Sequence, residues 1–111
     1  AHIARLLNDS GVICCAAFVA PNADSREHAS SVIGKNNCYI VYLNPPMEVC
    51  VQRDPSGLYA AAEGSESTDI PGLSFLYSPP ENTHLELDTD QLSIEECLDQ
   101  VIKLMEEEEI I

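Results

Sequence analysis

The chain has 111 residues, 45% of them hydrophobic and 22% charged, a balance that excludes a disordered polymer and leaves room for one small domain. Its 19 acidic residues against 5 basic ones give a formal net charge of −14. A surface of that sign repels nucleic acid and anionic membrane, so neither is an expected partner.

In chain order, "AHIARLLNDSG" places Ile3, Leu6 and Leu7 on one helical face and stops at Gly11. "VICCAAF" (12–18) is apolar on both faces and of strand length, which predicts a central parallel strand. "PNADSREHASSVIG" predicts a loop and then a helix, with Asp24 or Ser25 as N-cap and Gly34 as the stop. "CYIVYLN" (38–44) is a second buried strand, and "PPMEVCVQRD" opens a helix with proline in its first turn, where a missing N–H costs little. "GLYAAAEG" extends or restarts helix as far as Gly64. Residues 65–83 hold three prolines and several turn formers and predict a long loop. "HLELDT" (84–89) is a third strand. The closing helix carries a capping box at Ser93 and Glu96 and an apolar stripe of Ile94, Cys97, Leu98, Val101, Ile102 and Met105. The glutamates that follow oppose the helix dipole and predict a frayed, solvated end.

Alternating helix and strand predicts an α/β domain, a three-layer parallel sheet with flanking helices, over residues 1–111. Three strands are few for such a sheet. A strand is therefore expected to be missing, most simply on the N-terminal side, and the exposed sheet is expected to self-associate or bind a partner.

Five cysteines (14, 15, 38, 50 and 97) sit in apolar settings with no C-x-x-C pair. They read as small buried hydrophobes in a reducing compartment, which together with the lack of any visible targeting segment predicts a cytoplasmic protein. The three histidines lie in unrelated segments with no serine or cysteine at a suggestive offset, so neither a metal site nor a catalytic triad is expected.

"ARLLNDSGVICCAAFVAP", "VYLNPPMEVCVQRDPSGLY" and "YSPPENTHLELDT" together resemble the C-terminal half of adenylylsulfate (APS) kinase. The specific part is R-D-P-x-G-L-Y preceded by P-x-E-V-C. The resemblance implies the C-terminal part of a P-loop nucleotide-kinase-like fold. Its activity would be ATP- and magnesium-dependent phosphorylation of the APS 3′-hydroxyl to give PAPS. It also implies that Arg53 stacks near the ATP adenine, with Gly57 and Leu58 beside it, and that Pro21 and Arg26 belong to the substrate edge. Residues 65–83 become a shortened lid.

Departures from the family pattern point the other way. No G-x-x-x-x-G-K-[ST] phosphate loop occurs in the chain, so no residue is assigned a catalytic role and no cofactor is certain for the chain itself. Where the family reads S-P-Y-R-x-D-R this chain reads "APNADSR", with Ala23 at the substrate-contacting arginine. The family's K-G-L-Y is Ser56-Gly57-Leu58-Tyr59, and Pro71 replaces a lid lysine. Each lost cation removes roughly 1.5–3 kcal/mol of charge-assisted contact with phosphate or sulfate oxygens. The expectation is a non-catalytic APS-kinase-like module that regulates, senses ATP, APS or PAPS, or holds an assembly together, as the kinase-like domain of fungal ATP sulfurylases does. The alternatives are a fragment of an active kinase whose phosphate loop lies upstream, or a bare scaffold appended to a sulfate transporter or sulfurylase.

Overall fold

A computed structural model describes residues 1–63 and 76–111. Most of the expected lid therefore lies outside the described residues. In chain order the elements are α1 (His2–Asp9), α2 (Ala23–Ile33), a 3-10 turn (Lys35–Asn37), β1 (Val41–Leu43), α3 (Met47–Arg53), α4 (Leu58–Ala62), β2 (Leu85–Leu87) and α5 (Ile94–Glu107).

The sheet is a parallel pair, with Val41 opposite Leu85, Tyr42 opposite Glu86 and Leu43 opposite Leu87. It is prolonged at both ends. Asn44 N–H donates to the Leu87 carbonyl at 2.9 Å, and His84 N–H donates to the Ile40 carbonyl at 3.0 Å. The His84 ring supplies one further rung, its Nδ1 accepting from Ile40 N–H at 2.9 Å while Tyr39 packs edge-on at 5.0 Å. That bond fixes the imidazole as the Nε2–H tautomer and gives this histidine a structural role. Leu87, only 1% exposed, is the fully buried apolar side chain among the described residues. α5 packs against β2, and α1 against α2.

The expected strand at 12–18 is not formed. Among the described residues the backbone of 13–19 makes no backbone–backbone hydrogen bond, and the run is tied only at its ends, by Val12 N–H to Leu7 O at 2.9 Å and Ser78 N–H to Pro21 O at 2.8 Å. A parallel strand exists only through ladder partners, and β1 pairs with β2 alone. Lacking partners, the run stays uncovered: Phe18 is 86% exposed, Val19 56% and Ile13 53%. The cysteines share this fate, Cys15 being exposed and the other four half-buried rather than buried, all as free thiols.

Helix ends follow local chemistry more closely. α2 is capped by Asn22, not by Asp24 or Ser25. Asn22 has the extended backbone that an N-cap needs, and its Oδ1 accepts from Ser25 N–H at 2.9 Å. The helix stops at Gly34, whose φ of 106° no L side chain adopts readily. The α5 capping box forms as the sequence predicts, Glu96 N–H donating to Ser93 Oγ at 3.1 Å and Ser93 N–H to Glu96 Oε2 at 2.8 Å.

The far end of α5 does not fray. Ile110 N–H reaches back to Met105 O at 2.8 Å and Glu109 N–H to Glu106 O at 3.1 Å, with Glu109 at φ 54°. This is a Schellman closure with glutamate in the usual glycine position. It satisfies the last carbonyls despite four adjacent acids. Only part of the predicted α5 stripe is covered: Cys97, Val101 and Met105 are half-buried, while Ile94 is 83% and Leu98 54% exposed.

With so little buried area, stability is concentrated at one place. Leu87→Ala is expected to cost about 2–5 kcal/mol, whereas Leu43→Ala, at a side chain already 57% exposed, should cost under ~1 kcal/mol. Urea unfolding followed by far-UV circular dichroism separates the two.

Candidate functional site

Two turns carry the residues singled out in the sequence. Arg53 is the last residue of α3 and exposed, and it forms no ion pair with Glu48 or Asp54. The Asp54 carboxylate instead caps the next helix, accepting from Tyr59 N–H at 3.1 Å and from Ala60 N–H at 3.0 Å. That arrangement requires the chain to turn back within three residues, which Gly57 achieves at φ 70° in left-handed backbone. α4 therefore restarts after the turn and does not continue α3. Arg53, Gly57 and Leu58 stand on one short exposed turn, with Leu58 47% exposed.

Pro21 lies in the second turn, between the unpaired run and α2, and Arg26 in the first turn of α2. The Arg26 guanidinium is half-buried. Its Nη1 donates to Ala20 O at 2.7 Å and its Nη2 to Ser78 O at 2.7 Å, across 52 residues of sequence. Its planar fork lies 6.0 Å from the centre of the Tyr77 ring. Tyr77 is in turn stacked on Tyr42 of β1, centroids 6.3 Å apart and planes 13° apart. Ala20 has φ 41°, left-handed backbone that costs a non-glycine residue on the order of 1 kcal/mol. The two turns share no hydrogen bond among the described residues.

An open cleft of about 450 Å³ runs beside Arg26 between α2 and the segment 78–82, reaching Lys35, Cys38 and His84. Lys35 is engaged by Glu27 at 2.7 Å, but Arg26 has only neutral carbonyls as partners and no carboxylate within ion-pair distance among the described residues. No group of three His, Cys, Asp or Glu side chains among those residues could hold a metal ion.

The Tyr42 hydroxyl donates to Asn44 Oδ1 at 3.0 Å, and Asn44 Nδ2 donates to Glu86 Oε1 at 2.7 Å. Burial raises the Tyr42 pKa above 10.0, with Tyr77 and Glu86 adding to the rise and Arg26 opposing it. Burial likewise raises Tyr59, with Cys50 and Asp54 adding to it. Neither tyrosine, nor the helix-capping use of Asp54, was assigned from the sequence. Asp-Pro-x-Gly after a helix carries a legible capping signal for Asp54, but nothing local marks Tyr77 as a partner of Tyr42.

Residues 1–88 match the family model for adenylylsulphate kinase. The chain is 40% identical over 105 residues to an adenylyl-sulfate kinase of Bacteroides thetaiotaomicron, covering 95% of this chain and 52% of that protein. It is 41% identical over 106 residues to an adenylyl-sulfate kinase of Halothermothrix orenii, covering 95% of this chain and 56% of that protein. A bifunctional enzyme CysN/CysC of Rhodopirellula baltica is 39% identical over 104 residues, 94% of this chain and 16% of that protein. The chain spans about half the length of the adenylyl-sulfate kinases it matches.

Both raised tyrosines give the same sign of pH dependence. The unfolded chain releases these protons near 10.0 and the folded chain above it, so their contribution is whole below pH 10 and is lost as pH rises through the folded values. Phenolate absorbance should show Tyr42 and Tyr59 titrating above pH 10, and Tyr42→Phe should remove one of these late steps. The absence of any tyrosine titrating above pH 10 would contradict the packing described.

Proposed function

The chain belongs to the adenylylsulphate kinase family, and from that premise we propose that it is the adenine- and substrate-edge half of a sulfate-activation kinase domain, inactive by itself. The observation that carries this reading is the run 12–19, apolar, exposed and unpaired among the described residues, whose sheet is a single parallel pair. Such surface asks for further parallel strand and flanking helix, which would complete the three-layer sheet of a P-loop kinase-like fold. In that reading the phosphate loop and the magnesium ligands come from residues outside these 111. Arg53, Gly57 and Leu58 then meet the adenine side of ATP, and Pro21 and Arg26 border the site for APS. The partner is a domain that covers the sheet, and the setting is cytoplasmic. No helix among the described residues is long and apolar enough to cross a membrane.

A second reading, a regulatory or PAPS-sensing module without catalysis even when complete, is favoured by Ala23, Ser56 and Pro71 standing where the family resemblance expects cations. Loss of three charge-assisted contacts weakens anion affinity by several orders of magnitude.

Complementation separates the readings. Mixed with the phosphate-loop half of the Bacteroides thetaiotaomicron kinase, the chain should form PAPS from ATP and APS, and alone it should form none. Binding of PAPS without turnover in the mixture would favour the regulatory module, and turnover by the chain alone would overturn both. In the mixture, Arg53→Ala should weaken ATP binding about tenfold if the guanidinium stacks on the base, as calorimetry would read.

A further inference from the structure

The clamp at Arg26 ties together parts of the chain that no secondary structure joins. Its two short bonds go to the carbonyls of Ala20 and Ser78, and the Ser78 amide returns a bond to Pro21 O at 2.8 Å. The result is a closed ring of three hydrogen bonds between the turn at 20–21 and the segment at 78. One face of Tyr77 meets the guanidinium and the ring stacks on Tyr42, so the same clamp fixes the segment against β1. Ala20 keeps its left-handed backbone within this ring. The cleft beside α2 is bounded on its other side by residues 78–82, so whatever seats Ser78 also sets the cleft's width.

We infer that Arg26 is a positioning residue: it seats the 77–82 segment on the Ala20–Pro21 turn and thereby sets the cleft and the Tyr42–Tyr77 stack, acting through geometry and not as a contact for an anion. The inference concerns the same substrate edge as the function proposed above, but it depends on that reading in no measured quantity. Geometry, not charge, is what the two carbonyls demand. A guanidinium presents two parallel N–H donors on a rigid fork, whereas an ammonium on a flexible stem cannot hold both carbonyls in one plane.

The test compares Arg26→Ala and Arg26→Lys with the wild-type chain, without ligand. Three readouts report on the clamp: amide hydrogen exchange at Ser78, near-ultraviolet circular dichroism from the tyrosines of a chain without tryptophan, and alkylation of Cys38, which lines the cleft. Arg26→Ala should speed Ser78 exchange by on the order of ten- to a hundredfold, the factor expected from two lost hydrogen bonds, and Arg26→Lys, which can keep only one of them, by several-fold. Both should also diminish the tyrosine signal and speed Cys38 alkylation, while Cys50 on α3 and Cys97 on α5 react at wild-type rates. Wild-type exchange in Arg26→Lys would overturn the inference, since charge alone would then suffice. If Arg26→Ala loses all structure, Tyr77→Leu removes the stack alone. It should speed Ser78 exchange and Cys38 alkylation several-fold, and unchanged rates there would equally overturn the inference.

Discussion

Everything ordered in this chain hangs on the parallel pairing of Val41–Leu43 with Leu85–Leu87. Parallel ladders gain little by themselves and exist where both faces are covered. Here a single leucine, Leu87, is fully enclosed among the described residues. Ladder bonds at Asn44 and His84, with the imidazole rung to Ile40, lengthen a three-residue pairing at both ends. α5 packs against β2, and among the described residues no strand pairs with the other edge of β1. A sheet that small tolerates neither loss of its buried leucine nor competition for its edge.

What the sequence makes legible divides along the range of the interactions involved. The capping box of α5 is readable because Ser93 and Glu96 answer each other within one turn. Whether helix continues or restarts after Arg53 stays open in the sequence, and the left-handed Gly57 with the Asp54 carboxylate decides for a restart. The N-cap of α2 lies one step beyond that reach: three neighbouring residues could all cap, and only the extended backbone at Asn22 decides between them. The run 12–18 has the composition of a central strand, yet a strand is defined by its neighbours, and none pairs with it here. Least legible is the Arg26 clamp, because one of its two carbonyls, that of Ser78, lies 52 residues from the arginine and a carbonyl leaves no trace in the side-chain pattern.

Membership of the adenylylsulphate kinase family and the geometry bear on different parts of the functional question. The family match covers residues 1–88, the stretch that holds both turns. Geometry shows that the arginine kept at position 26 is already occupied by neutral partners, and that Asp54 is committed to a helix end. An arginine lining a cleft is thus no guide by itself to what it holds. The net charge of −14 weighs in the same direction, since a field of that sign opposes the approach of any polyanion unless local cations are free to offset it.

The closure at the end of α5 has a consequence for how this sequence can drift. Glu109 occupies a left-handed position that favours glycine, and it does so at the negative end of a helix dipole already crowded with acids. Strain and repulsion are both tolerated because Ile110 folds back and closes the last carbonyls. Position 109 is accordingly a reserve of latent stability, where substitution by glycine would relieve backbone and charge together. A lineage carrying glutamate there keeps a weaker terminus than its own backbone geometry permits, and a single-residue path to a firmer one stays open.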